Sequence, residues 1–183
     1  MKKAAFLDRD GVINRKAPEG QYITRWEEMR FLPGVPEAIR SLNEAGFLVI
    51  IVSNQRCVAK GLITTQEVDS LHALMLRELQ ATHARIDAIY YCPHDYEPPC
   101  RCRKPQPGML LDAAQKYDIN LAASWMIGDS LQDGEAGRNA GCKTAHVTGD
   151  DQLVAGDFDI SGPSLLSVVH KILQLVNSSP QKA

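Results

Sequence analysis

Apolar and polar positions follow two alternating rhythms along this chain of 183 residues. Short, nearly unbroken apolar runs are separated by stretches whose apolar residues recur at helical spacing. Lys3–Leu7 reads as a buried strand that stops at Asp8. Val35–Ala45 places Val35, Ala38, Ile39 and Leu42 on one helical face, and Gly46 stops it. Phe47–Val52 is a continuous apolar strand, the pattern of a sheet covered on both faces. Thr64 and Glu67 form a capping box that opens a helix through about Leu79. Ala88–Cys92 is a third strand, and Pro105 and Pro107 introduce a helix over Gly108–Tyr117. Ser124–Ile127 is a fourth strand ending at Gly128-Asp129, followed by a helix over Leu131–Ala140 that Gly141 stops. Lys143–Val147 is a fifth strand. An edge strand near Phe158–Ile160 precedes a last helix over Pro163–Val176, and Asn177–Ala183 reads as a flexible tail.

Strands alternating with helices, the strands apolar throughout, predict an α/β fold: one domain over residues 1–176, a Rossmann-like three-layer sandwich around a mostly parallel sheet. In such sheets ligands bind beyond the carboxyl ends of the strands. Four of those ends carry reactive side chains: Asp8-Arg9-Asp10-Gly11, then Ser53-Asn54-Gln55, then a Cys/His loop running into Arg103-Lys104-Pro105, then Gly128-Asp129-Ser130.

Composition narrows the class. Twenty basic and 22 acidic residues leave a net charge of −2, which argues against a phosphate-backbone footprint and so against nucleic acid. The first apolar run is cut by Asp8, Arg9 and Asp10, too soon for a signal peptide. No run approaches the roughly 18 apolar residues of a membrane span. A cytoplasmic protein with no membrane partner is the expectation.

Asp8 and Asp10 suit two linked tasks: a nucleophile toward phosphorus, and an acid/base that protonates the leaving oxygen and then activates water. An Asx turn with solvated carboxylates would use the same residues. Asp129 ends its strand in the same manner and could complete a hard-cation site with Asp8 and the backbone carbonyl of Asp10, a set suited to Mg²⁺. Asp133 either orients Lys104 or a metal-bound water, or is a helix N-terminal carboxylate favoured by the dipole. Ser53 and Lys104 could offset charge on a phosphoryl transition state. Of five cysteines, Cys92, Cys100 and Cys102 crowd into one loop with His94, a Cys₃His set for tetrahedral Zn²⁺ with no open position, hence a structural site. Unliganded thiols or a disulfide are the alternatives, and a reducing compartment disfavours the latter. Cys57 and Cys142 read as packing residues, and His72, His83, His146 and His170 carry no pairing signal.

The order D-R-D-G-V, V-S-N-Q, R-K-P, I-G-D-S-x-x-D resembles the haloacid dehalogenase superfamily of aspartate-nucleophile phosphatases, with motifs spanning Leu7 to Asp133 and a similar layout to about Val147. Within it, C-P-H followed by C-x-C-R-K-P is similar to the family of heptose-bisphosphate and histidinol-phosphate phosphatases. Further stretches resemble the heptose branch: Gly11-Val12-Ile13-Asn14, Tyr22 with Phe31-Leu32-Pro33-Gly34-Val35, and Lys104-Pro105-Gln106-Pro107-Gly108-Met109-Leu110-Leu111.

The resemblance implies Mg²⁺-dependent removal of the 7-phosphate of D-glycero-D-manno-heptose 1,7-bisphosphate through an aspartyl-phosphate, with histidinol phosphate as the alternative substrate. It implies Asp8 as nucleophile, Asp10 as acid/base, Ser53 and Lys104 on the phosphoryl group, and Mg²⁺ held by Asp8, Asp10 and Asp129. Arg103 would recognise substrate, and Asn14, Glu19, Tyr22, Asn54, Gln55 and Ser130 would join it in lining the substrate's path. The chain departs from the pattern at Cys57, where the Asn-Gln loop usually has glycine, and at Ser130, where many heptose enzymes have lysine. No room is left for a large cap domain. The expected partner is a small phosphorylated sugar, and the expected state a monomer.

Overall fold

The computed structural model describes residues 1–149 and 157–178. Six parallel strands form one sheet: β1 (Lys3–Leu7), β2 (Phe47–Asn54), β3 (Ala88–Cys92), β4 (Trp125–Gly128), β5 (Lys143–Val147) and β6 (Ile160–Gly162), in the order β3-β2-β1-β4-β5-β6. Five helices connect them: α1 (Val35–Glu44), α2 (Thr65–Ala81), α3 (Gly108–Tyr117), α4 (Leu131–Ala140) and α5 (Leu165–Ser178).

Alternation along the strands divides the core into two layers. Ala5, Leu7, Val49 and Ile51 face α1, α2 and α5 through Ile39, Leu42, Met75, Leu79, Val168 and Ile172. Ala4, Phe6, Ile50 and Val52 face α3 and α4 through Met109, Leu110, Ala113 and Ala136. Both faces of the central strands are therefore covered, which is why their sequences are apolar without alternation. The strand order reverses direction between β1 and its neighbours β2 and β4, and the crevice at that switch point opens at the carboxyl ends of these strands.

Boundaries differ from the sequence expectation by a residue or two at several places, α1 ending at Glu44, α2 at Ala81 and β4 at Gly128 among them. β2 runs on to Asn54, because Ser53 and Asn54 pair with Tyr91 and Cys92 of β3. β4 starts one residue later, since the Ser124 hydroxyl is spent accepting from the Ala4 N–H (2.9 Å) and donating to the Asn120 carbonyl (2.7 Å). The edge strand begins at Ile160, not Phe158: Phe158 stacks on His146 at 4.7 Å, and the Asp159 carboxylate accepts from the Thr144 N–H at 2.7 Å. α5 starts at Leu165, where the Ser164 hydroxyl oxygen accepts from the Ser167 N–H (3.2 Å). It continues through Ser178, so Asn177 and Ser178 are helical rather than part of a tail, and 179–183 lie outside the described residues.

Between β1 and α1 the chain holds a short 3₁₀ turn at Trp26–Glu28 and isolated bridges such as Asn14 to Phe31. The crevice is edged by loops, with no inserted cap domain among the described residues. No described helix is long and apolar enough to cross a membrane.

Candidate active site

β1 delivers Asp8 at its last turn of pairing, where the Asp8 N–H donates to the Ile127 carbonyl of β4 at 2.9 Å. The chain then turns sharply at Gly11, with φ +96°. A side chain there would run into the Asp129 carboxylate, so glycine is required both by the backbone and by the approach of β4's loop. Asp8, Asp10, Ser53, Lys104, Asp129 and Asp133 line one cavity of about 230 Å³ at the switch point. The four strand-end motifs thus converge.

Lys104 sits at the centre of this cluster, 3% exposed, with its Nζ 2.7 Å from Asp8 Oδ1, 2.6 Å from Asp133 Oδ1 and 2.9 Å from the Val52 carbonyl. Burial opposes its charge, but Asp133 and Asp8 outweigh burial and hold the ammonium protonated well beyond the usual lysine range. Its backbone is clamped by Asn54, whose amide donates to the Lys104 carbonyl (3.1 Å) and accepts from its N–H (3.0 Å). Asp133 does both things the sequence left open. It pairs with Lys104, and its other oxygen accepts from the Ser130 N–H (3.1 Å) and hydroxyl (2.6 Å), capping α4. Gly128 makes this possible, because a Cβ there would overlap Asp133.

The two carboxylates of the D-x-D motif have opposite surroundings. Burial raises the Asp8 carboxyl to about 7, Lys104 works against this, and Asp133, Asp129 and Asp10 add to it. For Asp10 burial also opposes ionisation. The Arg9 guanidinium, with hydrogen bonds from Asn14 and Gln55, overcomes it and holds the carboxyl below its ordinary range. Arg9 Nη2 lies 2.8 Å from Asp10 Oδ2, Asn14 Nδ2 2.8 Å from Oδ1, and Gln55 Nε2 3.1 Å from Oδ2. Gln55 Nε2 also donates to the Ser53 hydroxyl at 2.7 Å.

Asp129 faces Asp8 and Asp133, and one oxygen from each of the three lies within 4.8 Å of the others. Burial raises the Asp129 carboxyl, with Lys16 opposing. Asp129 Oδ2 holds the Lys16 ammonium at 2.5 Å, while Asp129 Oδ1 is buried with no hydrogen-bond partner. An unpartnered, buried carboxylate oxygen among other hard oxygens fits a divalent cation such as Mg²⁺.

The Cys/His loop forms a second cluster. Cys92 Sγ lies 3.5 Å from His94 Nδ1, 3.6 Å from Cys100 Sγ and 3.3 Å from Cys102 Sγ, and Cys102 Sγ lies 3.2 Å from His94 Nδ1 and 3.5 Å from Cys100 Sγ. A tetrahedral Zn²⁺ with bonds of about 2.3 Å to sulfur has ligand–ligand edges of roughly 3.5–3.8 Å. The four donors fit that shell and leave no open position.

The remaining site residues from the sequence are more dispersed. Arg103 points away from the cavity, as alternation with Lys104 requires: its Nη1 donates to the His94 carbonyl (3.3 Å) and its guanidinium lies 4.3 Å from the Tyr96 ring centroid. Arg56 contacts the same ring at 4.3 Å. Tyr22 lines a neighbouring cavity of about 380 Å³ that shares Lys16 with the inner one, and Glu19 is exposed and lines neither. Cys57 and Cys142 are buried packing residues, with burial pushing the Cys142 thiol up to about 12. Three residues of the site carried no signal in the sequence. Arg9 is a fully buried arginine within the motif, His72 places Nε2 3.2 Å from Arg9 Nη1, and Lys16 is a loop lysine indistinguishable from a solvated one until folded.

A doubly wound sheet whose strand ends bring together an aspartate pair, a buried lysine and a further acidic pair defines a phosphohydrolase of the haloacid dehalogenase type. A HAD-hydrolase-like family model matches residues 101–156. A D-glycero-beta-D-manno-heptose-1,7-bisphosphate 7-phosphatase from Rhodopseudomonas palustris is 43% identical over 157 residues, 82% of this chain and 86% of that protein. The enzyme of the same name from Escherichia coli K12 is 39% identical over 155 residues, 80% of each chain. The crystal structure of a D,D-heptose 1,7-bisphosphate phosphatase from B. bronchiseptica complexed with magnesium and phosphate superposes with a TM-score of 0.84 at 35% identity, covering 94% of this chain and 99% of that one. The chain belongs to the heptose-bisphosphate phosphatase family.

Proposed function

We propose that this protein is a Mg²⁺-dependent phosphatase that removes the 7-phosphate from D-glycero-D-manno-heptose 1,7-bisphosphate. The observation that carries the reading is the contact of Asp8 with Lys104 (2.7 Å) inside a cavity that also presents Asp10, Ser53 and Asp129. The substrate is that named for the relatives from Rhodopseudomonas palustris and Escherichia coli.

Asp8 is the nucleophile. One of its oxygens attacks phosphorus, the ester P–O bond breaks, and the leaving alkoxide takes a proton from Asp10. Asp10 then takes a proton from water, whose oxygen attacks the phosphorus of the aspartyl-phosphate and releases inorganic phosphate and free Asp8. Arg9, Asn14 and Gln55 stabilise Asp10 as a carboxylate, the form that serves the second step. Lys104 neutralises Asp8 and Asp133 from within the protein, and its charge faces the phosphoryl group. Ser53 offers its hydroxyl to a phosphoryl oxygen. Asp8, Asp129 and the Asp10 carbonyl would hold Mg²⁺, which would supply positive charge that offsets the repulsion between carboxylate and phosphate. Cys92, His94, Cys100 and Cys102 would hold a structural Zn²⁺ that fixes the loop carrying Arg103. Asn54 and Ser130 line the cavity, Asn14 and Gln55 support Asp10 within it, and Tyr22 lines the neighbouring cavity, while Arg103 and Glu19 lie outside both and would act only on a part of the substrate beyond the phosphate. A cytoplasmic setting fits five free thiols and a sugar-phosphate substrate.

The test is phosphate release from a panel holding both anomers of heptose 1,7-bisphosphate and histidinol phosphate, with and without Mg²⁺, using Asp8→Asn as control. The expected result is Mg²⁺-dependent turnover of the bisphosphate, abolished in Asp8→Asn. Preference for histidinol phosphate overturns the substrate, and comparable activity in pure Asp8→Asn overturns the mechanism.

A further inference from the structure

A phosphate dianion entering the cavity needs N–H donors that are free to turn toward it. An ammonium carries three protons. Those of Lys104 face three acceptors already, Asp8, Asp133 and the Val52 carbonyl, at 2.6–2.9 Å. Lys104 therefore contributes charge but has no hydrogen bond to spare unless it releases one of these partners. The amide of Asn54 gives one of its two N–H groups to the Lys104 carbonyl, and that of Gln55 gives both to Asp10 and Ser53.

One other cation lines this cavity. Lys16 reaches it from the loop after β1, its stem passing over Gly11, where a Cβ would lie 2.8 Å from Lys16 Cε. Among the described residues its ammonium meets one acceptor, Asp129 Oδ2 at 2.5 Å, and its side chain is 53% exposed. Two of its three protons are thus available at the mouth of the cavity, on the Asp129 side, across from Lys104. Asp129 anchors the ammonium at the place where the carboxylates would otherwise repel an incoming anion, and Asp129 Oδ1 remains buried and unpartnered beside it.

We propose that Lys16 is a phosphate-binding residue: anchored on Asp129, it donates its free hydrogen bonds to the phosphoryl group and so adds to the charge that Lys104 presents there. The proposal rests on the phosphatase reading of this cavity. Its ligand is a phosphate monoester dianion or inorganic phosphate.

The test measures two affinities by titration calorimetry, that of Mg²⁺ alone and that of inorganic phosphate for the Mg²⁺-loaded protein, in wild type, Lys16→Met and Lys16→Arg. Methionine keeps the apolar stem and removes the charge. Lys16→Met is expected to weaken phosphate binding about tenfold, the scale of one hydrogen bond to a charged group. It is expected not to weaken Mg²⁺ binding, since it removes a positive charge beside the carboxylates. Lys16→Arg is expected to recover most of the phosphate affinity. Phosphate affinity within twofold of wild type in Lys16→Met overturns the proposal. So does an equal loss of Mg²⁺ and phosphate affinity, which would make Lys16 a support for Asp129. A wild-type protein that takes up neither Mg²⁺ nor phosphate overturns the phosphatase reading together with it.

Discussion

Replacing Asp133 tests a buried carboxylate with two roles, one toward Lys104 and one at the start of α4. It is 2% exposed, pairs with Lys104 at 2.6 Å, and accepts from the Ser130 N–H at 3.1 Å and the Ser130 hydroxyl at 2.6 Å. Asp133→Ala leaves a buried ammonium with one carboxylate in place of two. Breaking a buried pair outright costs about 3–5 kcal/mol, and retention of Asp8 puts this case at the low end. Loss of the helix cap adds about 1 kcal/mol. The sum, about 4 kcal/mol, corresponds to a fall in melting temperature of roughly 8–16 °C for a chain of this size. Asp133→Asn keeps an acceptor for the cap and removes only the charge, so its cost should come from Lys104. That origin is separable by a double-mutant cycle in urea, with Lys104→Met as second substitution. Once Lys104 is gone, Asp133→Asn should cost about 1.5 kcal/mol less than in wild type, the mark of two groups in contact. If Asp133→Asn costs the same in both backgrounds to within about 0.5 kcal/mol, the pair does not stabilise the fold and the account of Asp133 is wrong.

Two further outcomes follow from other parts of the molecule. Protein purified without chelators should contain about one zinc per chain, and Cys100→Ser should lower both that content and the melting temperature; zinc-free wild-type protein of undiminished stability refutes the assignment. Burial, with Arg9 second, lowers the His72 imidazole to about 4, so it stays neutral in the fold while the unfolded chain protonates near 6.5. Its contribution is present above pH 6.5 and lost as pH falls toward 4, about 3 kcal/mol in all; urea unfolding at several pH values should show a flatter acid limb in His72→Gln, and an unchanged limb refutes it.

The strands and the side chains that gather at their carboxyl ends were legible because each is fixed by a local rule. An apolar run terminated by Asp8 or Asp129 announces both a buried strand and what stands at its end, and parallel order brings such ends together. The Cys₃His set was legible because three thiols and an imidazole in one loop have few other uses. What was not legible depends on contacts between distant segments. Arg9 looks like any charged residue inside a motif, yet it is buried because His72 of α2 and Asp10 meet around it. The displacement of β6 from Phe158 to Ile160 depends on a stack with His146 that no periodicity encodes. Lys16 and Asp129 are separated by most of the chain and meet only through the bare Cα of Gly11.

The same reasoning explains why Asp8 and Asp10, two positions apart, have different chemistry. Asp8 shares its surroundings with two other carboxylates and one lysine, and burial raises it to about 7. Asp10 meets the guanidinium of Arg9 and the amides of Asn14 and Gln55, which hold it low. Environments that drive two titratable groups apart are how one site assigns them separate roles. Here Arg9 makes the larger part of the partition and Gln55 a smaller one, and the Gln55 amide nitrogen also ties Asp10 (3.1 Å) to Ser53 (2.7 Å). Gln55 in turn is fixed at the end of β2, where its N–H donates to the Cys92 carbonyl at 2.8 Å. Cys92 is also the first donor of the Cys₃His cluster. The loop that carries Arg103 and the amide that positions Asp10 therefore hang from one residue of β3, which ties the Cys/His loop to the geometry around Asp10 without Cys92, His94, Cys100 or Cys102 lining the cavity.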